Sequence, residues 1–204
     1  MVGMETSTSQ IDWNVQLVDQ LDFHWRHQLR PRLDGLTEDE YRWEPVPGAW
    51  NVRPRGTGAA PVAGGSGDFT IDFAMPEPDP APVTTIAWRI GHLVVGVLGA
   101  RVAGHFGGPP CDYMTHDYPG DAAGALAQLD QAHAAWTAGV AGLGTEGLAS
   151  ACGPAEGPWA AAPMAALVLH INREVIHHGA EIALLRDLYR WRHGRDRQSG
   201  SPSR

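Results

Sequence analysis

His170, Glu174 and His178 follow one another at intervals of four within MAALVLHINREVIHHGAEIALLRDLY, residues 164–189. On a helix this spacing stacks the three side chains on one face, about one turn apart. Leu167, Ile171, Val175, Ile182, Leu185 and Leu188 recur on the same stripe, so the imidazoles and the carboxylate are expected to turn inward with them. Burying two imidazoles and a carboxylate unpaired is costly, and a divalent cation satisfies them together. Metal binding is therefore the expected chemistry. As an i, i+4 pair, Glu174 and His178 can hold one ion at about 2.0–2.2 Å from each donor atom.

A further histidine, His92, lies in the apolar run TIAWRIGHLVVG at 85–96, with Trp88, Gly96, Gly99 and Ala103 on its face. Small residues there admit a neighbouring helix or a ligand at close range. A lone histidine on an apolar face is commonly a hydrogen-bonded core residue; the separate His-Glu-His face tips the reading, since bundle sites draw ligands from facing helices. His92, Glu174 and His178 make two nitrogens and one carboxylate, and three protein ligands leave a coordination position open, as in a catalytic zinc site. Nickel, iron and manganese suit the same donor set. His170 is either a rival ligand or a residue that orients Glu174 from outside the ligand set. Arg89, on the His92 side of its helix, either holds a substrate carboxylate or forms an ion pair. Trp43 and Trp50 are the other candidate substrate contacts.

The elements that must position these groups are helical. Residues 11–33 place Ile11, Val15, Val18, Leu21, Trp25 and Leu29 at helical spacing, which predicts a first helix. Thr37 with Glu40 forms a capping box for a short turn, stopped by Pro45, Pro47 and Pro54. Trp43 and Trp50 are expected to fold this segment over the bundle as a lid. From 56 to 82 glycine and proline dominate, predicting a long loop with one short strand at DFTIDF, 68–73. A second helix is expected from Thr84 or Thr85 to about Gly104, and a third, capped by Asp121, to about Gly142. His133 on the third helix is expected as a packing or surface residue, and the glycine- and proline-rich stretch 142–158 as a loop. The fold class is all-α, an antiparallel four-helix bundle with long connecting loops. One domain is expected over 11–192, between a disordered N-terminus at 1–10 and a disordered basic tail at 193–204.

Composition narrows the functions. At 204 residues, 43% hydrophobic and 19% charged, the chain can bury one good core. It contains no lysine, which excludes a lysine Schiff base and a P-loop lysine. Cys111 and Cys152 belong to no Cys-x-x-Cys pair, so neither a dithiol redox motif nor a sulfur-rich zinc site is expected. The net charge is −8 although five of the arginines fall from Arg190 onward, so the body is acidic and no nucleic-acid surface is expected on it. The most apolar run, residues 86–106, is interrupted by Arg89, His92, Arg101 and His105, and the N-terminus lacks a basic start and apolar core. No membrane span, no signal peptide and a cytoplasmic location are the expectations.

The segments LTEDEYRWEPVPGAWNVRPR at 36–55, TIAWRIGHLVVG at 85–96 and LHINREVIHHGAEIALLRDLY at 169–189 together resemble the DinB-like superfamily of metal-binding four-helix bundles. Within it they are similar to the actinobacterial branch near the N-terminal domain of mycothiol-dependent maleylpyruvate isomerase, over residues 11–192. The resemblance implies that His92 supplies one ligand from the second helix, and Glu174 and His178 two from the later one. Glu174 stands where the commoner pattern has histidine. The isomerase carries a further C-terminal domain, so thiol transfer rather than isomerisation is the implied activity here. A low-molecular-weight thiol such as mycothiol binds the metal, zinc before nickel, iron or manganese, and the thiolate attacks a small electrophile. A homodimer is implied as well. A non-catalytic metal-binding stress or interaction protein of the same fold is the alternative.

Overall fold

The computed structural model describes residues 11–199. Four long helices carry the chain. The first, α1, is opened by Asp12, whose carboxylate accepts from the N–H groups of Asn14 and Val15. It runs through Trp13–His24, widens to a π-helical turn at Trp25–Leu29 and closes over Arg30–Arg32. The short helix α2, Glu38–Arg42, begins with the Thr37/Glu40 capping box that the sequence predicts.

Where the sequence predicts a long loop with one strand, the chain builds a three-stranded antiparallel sheet. Its strands are β1 (Val52–Pro54), β2 (Val62–Gly64) and β3 (Phe69–Phe73), in the order β1-β3-β2, with Val52 opposite Ile71 and Val62 opposite Phe73. Only β3 has the alternation that marks a strand; β1 and β2 are three residues each, too short for a periodicity of two to register. The sheet matters to the site through Asp72, buried and accepting from Asn51 N and Arg53 Nε. Its carbonyl takes the indole N–H of Trp88 at 2.8 Å.

Thr85 caps α3, which runs as Ile86–His92, opens into a π-helical stretch Leu93–Gly99, where the N–H of Ala100 reaches back to the carbonyl of Val95, and ends with Ala100–His105. By length and hydropathy Ile86–His105 is apolar enough to cross a membrane, contrary to the expectation from its charged interruptions, and 61% of its most apolar window is buried inside the fold. Those side chains are the core: Ile86, Ile90, Leu93 and Leu98 are almost fully buried, each contributing about 1.5–3 kcal/mol of apolar transfer.

Helix α4, Ala122–Ala141, starts at the Asp121 cap as expected, and His133 is buried in it, stacked on Trp25 with centroids 3.9 Å apart. The stretch 142–158 is not wholly loop: it holds a helical turn α5, Gly144–Ala149, and a 3₁₀ turn at Pro154–Trp159. The last helix, α6, is Met164–Ser199. It continues through 193–199, where the sequence analysis places the start of a disordered tail; residues 1–10 and the end of that tail, 200–204, lie outside the described residues. Helix α1 packs against α4 and α6, and α3 packs against the same two, so the molecule is mostly helical with the small sheet at one side of α3.

Candidate metal centre

His92 sits at the last position of the regular turns of α3, where the π-helical stretch begins; such local widening re-aims side chains and is common at functional sites. Trp88, one turn earlier and fixed by the sheet, lies parallel to its ring at 5.2 Å. On the far side the Tyr113 hydroxyl meets His92 Nδ1 at 2.6 Å. That reach depends on Gly96, where a Cβ would stand 1.8 Å from the Tyr113 oxygen. Similarly, the Cys111 sulfur occupies the space above Gly99. The small-residue face of α3 therefore admits the 107–119 loop, rather than a second helix or a ligand. Burial, reinforced by His178, Arg89 and Arg101, pushes the His92 pKa down to about 3. The imidazole is neutral, the form that ligates metals.

His178 projects from α6 toward it, 7% exposed, its ring perpendicular to that of His92 with centroids 4.8 Å apart. Its Nδ1 lies 2.7 Å from Glu181 Oε2. Two groups compete for that nitrogen: an ionised carboxylate only accepts, and its contact at 2.7 Å is shorter than the one from Arg89 NH1 at 3.2 Å, so we take the proton to lie on Nδ1. Arg89 Nε stands 3.1 Å from the same carboxylate as an ion pair without hydrogen-bond geometry. The Nε2 lone pair of His178 is thereby turned to Glu174, whose Oε2 is 3.5 Å away. Two acceptors face one another with nothing to share. Two donor atoms held tetrahedrally at about 2.1 Å from one ion stand about 3.4 Å apart, so the pair is spaced for a cation, and the donor set fits one.

The remaining expectations divide. His92, Glu174 and His178 gather at one place, but the His92 donor does not complete a close triple with the other two. Among the described residues, the three groups whose donor atoms all lie within 4.8 Å of one another are His177, His178 and Glu181. That cluster already contains a cation, because Arg89 NH1 lies 3.2 Å from His178 Nδ1; the guanidinium opposes a metal there. His170 is more exposed, bonded to Arg173 at 2.7 Å, and 3.5 Å from the other oxygen of Glu174, Oε1. Arg89 is turned to Glu181 and His178, and its buried Nε has no hydrogen-bond partner among the described residues. Trp50 is buried against Phe73 and Trp88, so it backs the ring that touches His92 without reaching it. Trp43 lies elsewhere, packed on Tyr189 and His193, about 16 Å along the helix from His178. Its segment is tethered there by Glu40, which binds Arg186 and Arg190 of α6. No lid of Trp43 and Trp50 covers the centre.

Residues 20–182 match the family model of the DinB superfamily. The chain belongs to the DinB superfamily. Proteins of this superfamily typically bind metal, and the donor spacing of the His-His-Glu cluster on α6 is that of a metal site, with Arg89 standing where it competes with an ion. No curated protein and no solved structure matches the chain.

Sequence reasoning missed Glu181 and Tyr113. Glu181 had a signal: it is three residues after His178 and four after His177, the spacings at which helical side chains meet. Tyr113 had none, since its loop reaches His92 only in the folded chain.

Proposed function

We propose that this DinB-superfamily protein binds one divalent ion, zinc in the first place, through His92, Glu174 and His178 on an antiparallel four-helix bundle. It uses the ion to transfer a low-molecular-weight thiol of the mycothiol type to small electrophiles. The observation that carries the reading is the pair His178 Nε2 and Glu174 Oε2, two acceptors 3.5 Å apart with His92 at the edge of the same ring. When bound, the ion supplies a deprotonated thiol, because coordination removes the thiol proton.

The chain's own residues do the positioning. Glu181 holds the proton on His178 Nδ1 and fixes the ring, and Arg89 offsets the charge of Glu181. Trp88 stacks on one face of His92 and Tyr113 holds the ring by its Nδ1 edge. We place the protein in the cytoplasm, where small thiols stay reduced, as a homodimer.

The test combines metal content by mass spectrometry with conjugation of mycothiol to chlorodinitrobenzene by the zinc-loaded protein. His92→Ala, Glu174→Ala and His178→Ala are each expected to lose bound zinc and conjugation together. A His92→Ala protein that conjugates at the wild-type rate sinks the metal mechanism. The second reading, a non-catalytic metal-binding protein, is favoured by the filling of Gly96 and Gly99 by Tyr113 and Cys111, which closes the α3 side of the centre. It expects zinc to be retained with no thiol affinity.

A further inference from the structure

Beside the centre lies a cavity of about 410 Å³, walled by Arg101 of α3, by Glu156 and Trp159 of the 3₁₀ turn, and by Leu167, His170 and Arg173 of α6. Glu174 joins the two. Its Oε2 faces His178, while its Oε1 lies 3.5 Å from His170 Nδ1 and 3.7 Å from Arg173 Nε, both on the cavity side. Anything lodged in the cavity is therefore one carboxylate away from the centre.

The charges lining it do not cancel. Glu156 is the acid, and it is already covered by His105 at 2.9 Å and by Arg101 at 3.4 Å. Among the described residues Arg173 has a histidine as its near hydrogen-bond partner and a long contact to Glu174. Arg101 is committed, donating NH1 to the Gly96 carbonyl and NH2 to Glu156. Apolar surface from Leu167, Ala162 and Ala166 completes the wall, with Trp159 71% exposed at the rim. A cavity with surplus guanidinium charge, an apolar wall and an open indole matches an anion with a flat or apolar body.

We propose that this cavity binds an organic carboxylate of small size with an apolar or aromatic body, its carboxylate on Arg173 and its body along Leu167 and Trp159. Resting on the proposed metal chemistry, the carboxylate-bearing molecule is one of the two reactants, the cavity holding it while its reactive end reaches past Glu174. The carboxylate role that the sequence offers to Arg89 passes to Arg173.

Phenylacetate and its neutral analogue phenylacetamide serve as probes, titrated against the full chain while NMR shifts of backbone amides are followed. The acid is expected to bind at least tenfold more tightly than the amide. Arg173→Gln, at an exposed position that leaves the core alone, is expected to weaken the acid tenfold or more while zinc content stays at the wild-type level. Ala166→Phe, which fills the apolar wall, is expected to remove binding of both probes. Glu174→Ala separates this claim from the metal reading: acid binding that survives in this variant, whether or not the metal is lost, supports the cavity. Equal affinity for acid and amide overturns the proposal, as does acid binding that is lost in Glu174→Ala yet unchanged in Arg173→Gln, since the carboxylate would then be held by the metal.

Discussion

Two clusters of charge lie on the inner side of α6, and they are built differently. In one, Arg186 is 1% exposed and binds both oxygens of Glu40, at 3.3 and 3.2 Å. It also donates to the carbonyls of Arg32 and Asp34. Arg190 and the N–H of Thr37 add further donors to the same carboxylate, at 2.9 and 3.0 Å. Both oxygens of the carboxylate there have donors. In the other, about 12 Å back along the helix, His178 and Glu174 present acceptor to acceptor at 3.5 Å. The first cluster is closed and ties α2 to α6; the second is left one cation short. A matched network is the mark of a structural joint, and an unmatched, partly buried pair the mark of a binding site.

The largest effect tests the closed cluster. Arg186→Ala leaves Glu40 buried with half its partners gone and is expected to cost about 3–5 kcal/mol, the usual penalty for stripping one member of a buried ion pair. Urea denaturation measures it, and a cost below about 1 kcal/mol would erase the distinction between the clusters. The sign with pH follows. Burial raises the Glu40 pKa, but the Thr37 N–H, Arg186 and Arg190 together outweigh it and hold the carboxyl below its usual range. Its folded pKa being depressed, the stabilisation is complete above the unfolded value, about 4.3, and is lost as pH falls through the folded one.

The open cluster should respond in the opposite sense. Glu174→Gln places an amide N–H opposite His178 Nε2 and is expected to stabilise the metal-free protein by about 0.5–1.5 kcal/mol, the worth of one hydrogen bond, while abolishing stoichiometric zinc. Thermal melts with and without chelator read both. A melting temperature that falls in the chelated protein would show that the pair is not in conflict.

Next in size are the groups that steady the ligands. Glu181→Gln and Tyr113→Phe are each expected to lower zinc affinity about 10- to 100-fold, the usual effect of removing a hydrogen-bond partner from a ligating histidine. Competition titration with a chromogenic chelator measures it. Gly96→Ala should copy Tyr113→Phe, because its Cβ would occupy the position of the hydroxyl. If either variant binds zinc like wild type, the assigned partner does not orient its ring.

A separate effect concerns His133, which lies in neither cluster. Burial pushes its pKa down to about 4 from 6.5, against the opposing pull of Asp22 and Asp130. Between these values the unfolded chain binds more protons, so stability falls as pH falls, by up to about 1.4 kcal/mol per pH unit. His133→Phe retains the stack on Trp25 and is expected to flatten that slope in urea titrations from pH 6.5 to 4.

The helices were largely legible in the sequence because their signals are local. Asp121 and Thr85 cap where expected, and the Thr37/Glu40 box closes as its spacing implies. The three-stranded sheet was not legible, since strands of three residues carry no period and exist only through pairing with β3. At the centre, the i, i+4 relation of Glu174 and His178 could be read directly, whereas the approach of His92 to His178 depended on how α3 and α6 pack. The Trp43 lid failed because the Glu40 tether to Arg186, 146 residues away, leaves no trace in local pattern.

The sequence by itself determined which residues could share a helical face and where the helices begin, because capping and periodicity act over three or four residues. Tertiary structure decided the rest: that Tyr113 fills the space above Gly96, that Arg89 turns to Glu181 rather than to a ligand, and that Glu174 stands between the centre and a cavity. The reason is distance along the chain. Contacts between α3, the 107–119 loop and α6 are fixed by packing of the whole core, and no short window of sequence encodes them.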